Sequence, residues 1–125
     1  PDWSRGLGDV YKRQGTCGFS SLAATPAWLA TDTARAFTRA YIKTRDYMND
    51  ASASEIAKAE KPLFPDIDLE VLTDCIATYQ AMGCWTRHID ITQEGYDAML
   101  DIFEYDGKLP HRYSYHQVCA PPPAI

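Results

Sequence analysis

Apolar residues return at helical spacing in several separate stretches of the chain. Ala34, Phe37, Tyr41 and Met48 fall on one side of a 3.6-residue repeat. They predict a helix from about Asp32 to Asn49 with those four residues as its buried stripe. Leu72, Cys75, Ile76 and Tyr79 give the inner face of a second helix, about Leu69 to Met82. Tyr96, Met99, Leu100 and Phe103 mark another, opened by Thr92 or Gln93 and ended by Gly107. No long run alternates apolar with polar, so the expected fold class is mainly α. It comprises four to five helices with little strand.

Punctuation residues sharpen the boundaries. Thr25-Pro26 starts a short helical turn through Leu29, because proline is well suited to a first helical position. Thr31 or Asp32 can cap the long helix. Ser52-Ala-Ser-Glu55 reads as a capping box before a short helix that stops ahead of Pro62. Pro62 and Pro65 bracket Leu63-Phe64 and are expected to pin both apolar side chains in a rigid turn. Asp68 is the expected cap of the next helix, and Gly83 its left-handed stop. Ile89 and Ile91 flank Asp90 in a short extended segment. Gly15 to Ala24 is small and apolar and could be the end of a strand. The tail from His111 is aromatic and polar, and its end, Ala-Pro-Pro-Pro-Ala-Ile, is expected to be extended and frayed.

Composition limits the function. The 125 residues have 46% hydrophobic and 23% charged side chains, an ordinary globular balance. The net charge of −5 comes without the basic cluster of a nucleic-acid binder. No apolar run is long enough to span a bilayer, which argues against direct membrane insertion. Pro1 to Gln14 has no initiator Met and no clear period. It resembles an adapter or fusion scar, and such segments are set aside from fold reasoning. Residues 15–118 are then read as one domain portion and residues 119–125 as a disordered tail. Cys17, Cys75, Cys84 and Cys119 form no C-x-x-C pair, so any disulfide connectivity is unreadable. Cys75, on an apolar helical face, reads as a small buried hydrophobe.

Candidate chemistry is sparse. His111, His116 and Cys119 give H-x4-H-x2-C, which matches no strong zinc signature and supplies too few ligands on a loop. No metal site, cofactor or catalytic residue is therefore expected. Asp66 and Asp68 are explained by helix-end electrostatics. Glu104 and Asp106 more simply face water. Arg35, Arg39 and Lys43 make a basic stripe at i, i+4 and i+8, which is commonly a solvated face and alternatively the surface of a small helical interaction module. Trp85 has two readings. It can plug the corner after Gly83 and bury a large apolar area, or stack on a flat ligand at a cleft rim. The packing role is favoured.

The order of these elements carries a resemblance. Leu63-Phe64-Pro65, Asp68-x-x-x-Leu72, Tyr79-x-x-x-Gly83-x-Trp85, Ile91, Tyr96 and Gly107-x-Leu109 together resemble the C-terminal region of ABC-transporter solute-binding proteins. The subgroup is the nitrate, sulfonate and thiamine-pyrimidine type. Ala36-Phe37-Thr38-Arg39-Ala40 also resembles that family's long helix, and the likeness covers about Gly18 to Val118. It implies a parent fold of the two-lobe α/β periplasmic-binding-protein kind, at least about twice this length. This chain would be its C-terminal fragment.

By the same resemblance, the function is capture of a small-molecule solute and delivery to an ABC permease in the membrane. The location is periplasmic or extracytoplasmic, and no enzymatic step is implied. Phe19, Ser20 and Ser21 could border the cleft beside the returning strand, with Trp85 as a further ligand-side candidate. The group also includes an enzyme that builds the thiamine pyrimidine. That enzyme has a dense cysteine motif, which is absent here and counts against the alternative.

Overall fold

The computed structural model describes residues 20–125, which are helical and contain no strand. Its elements are α1 (Pro26–Leu29), α2 (Asp32–Asp50), α3 (Ala53–Glu60), a 3-10 turn (Lys61–Leu63), α4 (Leu69–Met82), α5 (Gln93–Tyr105) and α6 (Tyr115–Val118). The mainly helical expectation holds for these residues. Of the proposed Gly15–Ala24 strand end, residues 20–24 carry no strand, and 15–19 lie outside the described residues. The chain divides into two compact units. Among the described residues, one takes 20–29 and Asp90–Pro122, and the other Ala30–Ile89 and Pro123–Ile125.

Within the second unit, local chemistry sets each helix end. The Thr31 hydroxyl accepts from the Ala34 amide at 3.1 Å and opens α2, so Thr31 is the cap and Asp32 lies in the first turn. Asp32 instead pairs with Arg35 of the basic stripe. Ser52 and Glu55 form the reciprocal capping box of α3. Asp68 stands at the N-cap of α4 but makes no side-chain capping bond, which corrects the expected role. Gly83 ends α4 at φ 67°, where a side chain would be strained.

The core of this unit is the seam between α3 and α4. Ile56 and Ala57 meet Leu72 and Ile76, and Met48, Ala51, Ala53 and Trp85 close around them. Each large aliphatic side chain buried there stabilises the fold by about 1.5–3 kcal/mol. The buried stripes are narrower than the sequence suggests. On α2, Ala34 and Thr38 are buried, whereas Phe37 is exposed. The buried line steps by four from Ala34, and Phe37 falls to one side of it. Thr38 tolerates burial because its hydroxyl donates to the Ala34 carbonyl at 2.8 Å. On α4, Leu72 and Ile76 take the seam, while Cys75 and Tyr79 are exposed. Cys75 is therefore not the buried hydrophobe expected.

The Pro62–Pro65 turn also departs from expectation. Leu63 and Phe64 are exposed rather than pinned inward. The turn is held instead by Lys61, whose Nζ donates to the carbonyls of Phe64, Pro65 and Ile67 at 3.3, 2.9 and 2.6 Å. One ammonium has three donors, enough to satisfy three backbone acceptors that no helix or strand uses.

In the first unit, Thr25 caps α1 by accepting from the Trp28 amide at 3.2 Å. Thr92 caps α5, whose Tyr96 and Leu100 are buried while Phe103 is exposed. Segment 111–118 is tied down. Arg112 bonds Asp101 at 2.7 Å and Glu104 at 3.0 Å, and lies 3.5 Å from Asp97. The Tyr96 hydroxyl donates to the Tyr113 carbonyl at 2.8 Å, and the Tyr115 hydroxyl to the Ile91 carbonyl at 2.6 Å. Ser114 and Gln117 form a second capping box on α6. Residues 119–125 carry no helix.

Candidate functional site

Four residues were singled out for ligand contact. Phe19 lies outside the described residues. Ser20 and Ser21 are exposed in the non-helical segment before α1. Trp85 is half-buried in the loop after α4, packed against the Ile56–Ile76 core, with its ring 5.7 Å from that of Tyr79. The corner geometry follows from Gly83. Its left-handed backbone turns the chain so that the Cys84 amide donates to the Tyr79 carbonyl at 3.2 Å, and Trp85 folds back over the seam.

Two shallow recesses lie in the first unit. One, of about 500 Å3, is lined by Asp90, Tyr115, His116, Cys119, Pro121 and Pro122. The other, of about 370 Å3, is lined by Ala23, Ala24, Thr25 and Trp28, just after Ser20 and Ser21. The first holds two members of the H-x4-H-x2-C spacing. The third, His111, stacks edge-on with Tyr113 at 4.5 Å and does not line the recess. Among the described residues, no three His, Cys, Asp or Glu side chains are grouped so as to hold a metal ion. Burial pushes the Cys119 thiol pKa up, which favours the neutral thiol over the nucleophilic or metal-binding thiolate.

Three side chains that the sequence reading passed over organise the second unit and the start of its loop. Gln80, on α4, donates from one amide nitrogen to the carbonyls of Met48 and Ala51, both at 2.9 Å. The Met48 carbonyl belongs to the last turn of α2, where backbone acceptors lose their helical partners. Gln80 thus acts as a cap supplied from a different helix. Arg87 bonds Asp50 from both guanidinium nitrogens and reaches Asp46 at 3.4 Å. Two carboxylates at a helix C-terminus oppose its dipole, and the guanidinium offsets that repulsion. The Arg87 hydrogen bond is the leading reason the Asp50 carboxyl titrates below its ordinary value. Lys61 completes the set through its three carbonyl bonds.

The Ser52–Glu55 capping box of α3, by contrast, was readable in the sequence. Glu55 is held below its ordinary pKa mainly by the Ser52 hydroxyl, as the S-x-x-E spacing implies. Gln80 and Arg87 carry no such mark, because their partners lie 29–41 residues earlier in the chain. Chemically, these arrangements are scaffold. They satisfy backbone acceptors and neutralise charge.

No helix among the described residues is long and apolar enough to cross a membrane. No protein-family model matches the chain, and no solved structure matches it. The chain is similar to "Putative binding protein YtlA" of Bacillus subtilis (strain 168), at 24% identity over 120 aligned residues. That alignment takes in 91% of this chain and 36% of the Bacillus protein, so the chain spans about a third of the length of the curated relative it resembles.

Proposed function

We propose that this chain is the C-terminal part of a solute-binding protein that captures a small molecule outside the cytoplasm and hands it to an ABC permease. The observation that carries this reading is the likeness to a protein named as a binding protein, running along nearly the whole of this chain. The helical scaffold is consistent with it. Several of its polar groups serve as caps and ion pairs, and the proposed role requires no turnover of substrate. Solute contacts come mainly from the rest of the longer protein. From this part, Ser20 and Ser21 are the solute-side residues, and Trp85 packs against the α3–α4 core.

Thermal unfolding of the longer protein, encoded together with its upstream sequence, tests the proposal. Nitrate, alkanesulfonates and aminopyrimidines are added separately. A solute at a hundred times its Kd stabilises the folded state by about 2.7 kcal/mol, which is readily seen as a rise in Tm. One class is expected to raise Tm and the others to leave it unchanged. Unchanged unfolding with all three classes would sink the proposal.

A further inference from the structure

The Pro62–Pro65 turn displays its apolar side chains instead of burying them. Leu63 is 76% exposed and Phe64 41%, and Ile67 and Leu69 beside them are exposed as well. The display is rigid. Two prolines restrict the backbone, and the Lys61 ammonium ties together the carbonyls of Phe64, Pro65 and Ile67. A surface already fixed in shape loses little entropy on contact, which favours association. Asp66, Asp68, Glu70 and Asp74 rim it, all exposed. Among the described residues none of the four makes an ion pair, and Asp68 makes no capping bond.

The same unit carries the complementary chemistry on α2. Arg39, Lys43 and Tyr47 follow at i, i+4 and i+8 and form one row. Ala36 and Ala40 lie beside that row, and all five residues are exposed. Arg35, earlier in the stripe, is already paired with Asp32, and Arg45 lies over the Tyr41 ring. Arg39 and Lys43 make no ion pair among the described residues. The two alanines leave a hollow in which apolar side chains from outside can approach the helix backbone.

We propose that the Leu63–Phe64 turn of one molecule docks on the Ala36–Arg39–Ala40–Lys43 face of α2 in a second copy of this chain. Leu63 and Phe64 cover the alanines, and the carboxylate rim meets Arg39 and Lys43. Charge complementarity selects the occupant. The chain carries a net charge of −5, so two copies repel in most orientations and attract where the basic row faces the acidic rim. The contact joins unlike surfaces, so it is heterologous and builds either a closed ring or a growing chain. It is independent of solute capture, which is read separately by Tm.

Sedimentation of the 125-residue chain tests the proposal at about 0.01 M and about 1 M salt, between which the Debye length falls from about 30 Å to about 3 Å. At low salt the mean mass is expected to rise with concentration above that of a single chain, and at high salt to fall back towards it. Arg39→Glu with Lys43→Glu is expected to raise the Kd of self-association at least about tenfold, and so is Asp66→Lys with Asp74→Lys, because each juxtaposes like charges. An equal mixture of the two variants should associate again, since each then carries the charge that the other lost. Leu63→Ser should weaken association without altering charge. Helical circular dichroism is expected to be unchanged in all three variants. A single-chain mass at every concentration would overturn the proposal, as would association that neither reversal weakens. A mixture of folded variants that stays apart would also overturn it, because a merely solvated stripe predicts no such rescue.

Discussion

Replacing Gln80 with Met keeps a side chain of similar length on α4 and removes its two hydrogen bonds to the Met48 and Ala51 carbonyls. Each such bond contributes about 0.5–1.5 kcal/mol net, so the pair stabilises the unit by about 2 kcal/mol. Urea unfolding followed by circular dichroism reads this directly. With a slope of about 1–3 kcal/mol per molar urea, the midpoint should fall by roughly 1 M. Gln80→Glu is more discriminating. Its carboxylate would face two carbonyl oxygens without a proton to donate, so at neutral pH it should be less stable than Gln80→Met. Protonation restores one donor, which raises the folded-state pKa of that glutamate above its unfolded value of about 4.3. The folded state then binds the extra proton, so the deficit should shrink as pH falls through the raised pKa towards about 4.3. A loss below about 0.5 kcal/mol for Gln80→Met, or a Gln80→Glu deficit flat in pH, would refute Gln80 as the cap of α2.

Two further outcomes are expected. Ile56→Ala removes three carbons from a side chain that is 1% exposed, so transfer and cavity terms together should cost about 3 kcal/mol in the same urea assay. Val71→Ala, half in water, should cost well under 1 kcal/mol, and equal losses would place the core elsewhere. On the acid side, Asp50 and Glu55 both titrate below their ordinary values, Asp50 chiefly through Arg87 and Glu55 chiefly through Ser52. Their contribution is present above the unfolded carboxylate pKa and is lost as pH falls through the lowered folded values. Arg87→Met removes the Asp50 part, so the gap between wild-type and variant urea midpoints should close on acidification. A gap unchanged by pH would rule that coupling out.

Much of the helical layout was legible without coordinates, because helix ends are local chemistry. Ser52 and Glu55 lie three residues apart and cap each other whatever surrounds them. Gly83 adopts φ 67° because a left-handed stop is a property of one residue. The Ser114–Gln117 box was equally readable and was passed over. Periodicity was a coarser guide. It located the helices but spread their buried faces too widely, taking in Phe37, Cys75, Tyr79 and Phe103. An apolar stripe says which residues could be buried, whereas the neighbouring helix decides which of them are.

The sequence by itself determined the ends of the longer helices, the mainly helical class of the described residues, and the absence of a legible catalytic or phosphate-binding motif. Tertiary structure alone decided the α3–α4 seam, the Gln80 cap, the two-carboxylate clasp of Arg87 and the anchoring of 111–118 by Arg112, Tyr96 and Tyr115. Interactions within one helical turn are written in the spacing of a few residues. Those between groups far apart in the chain depend on how whole elements pack, which no local pattern records.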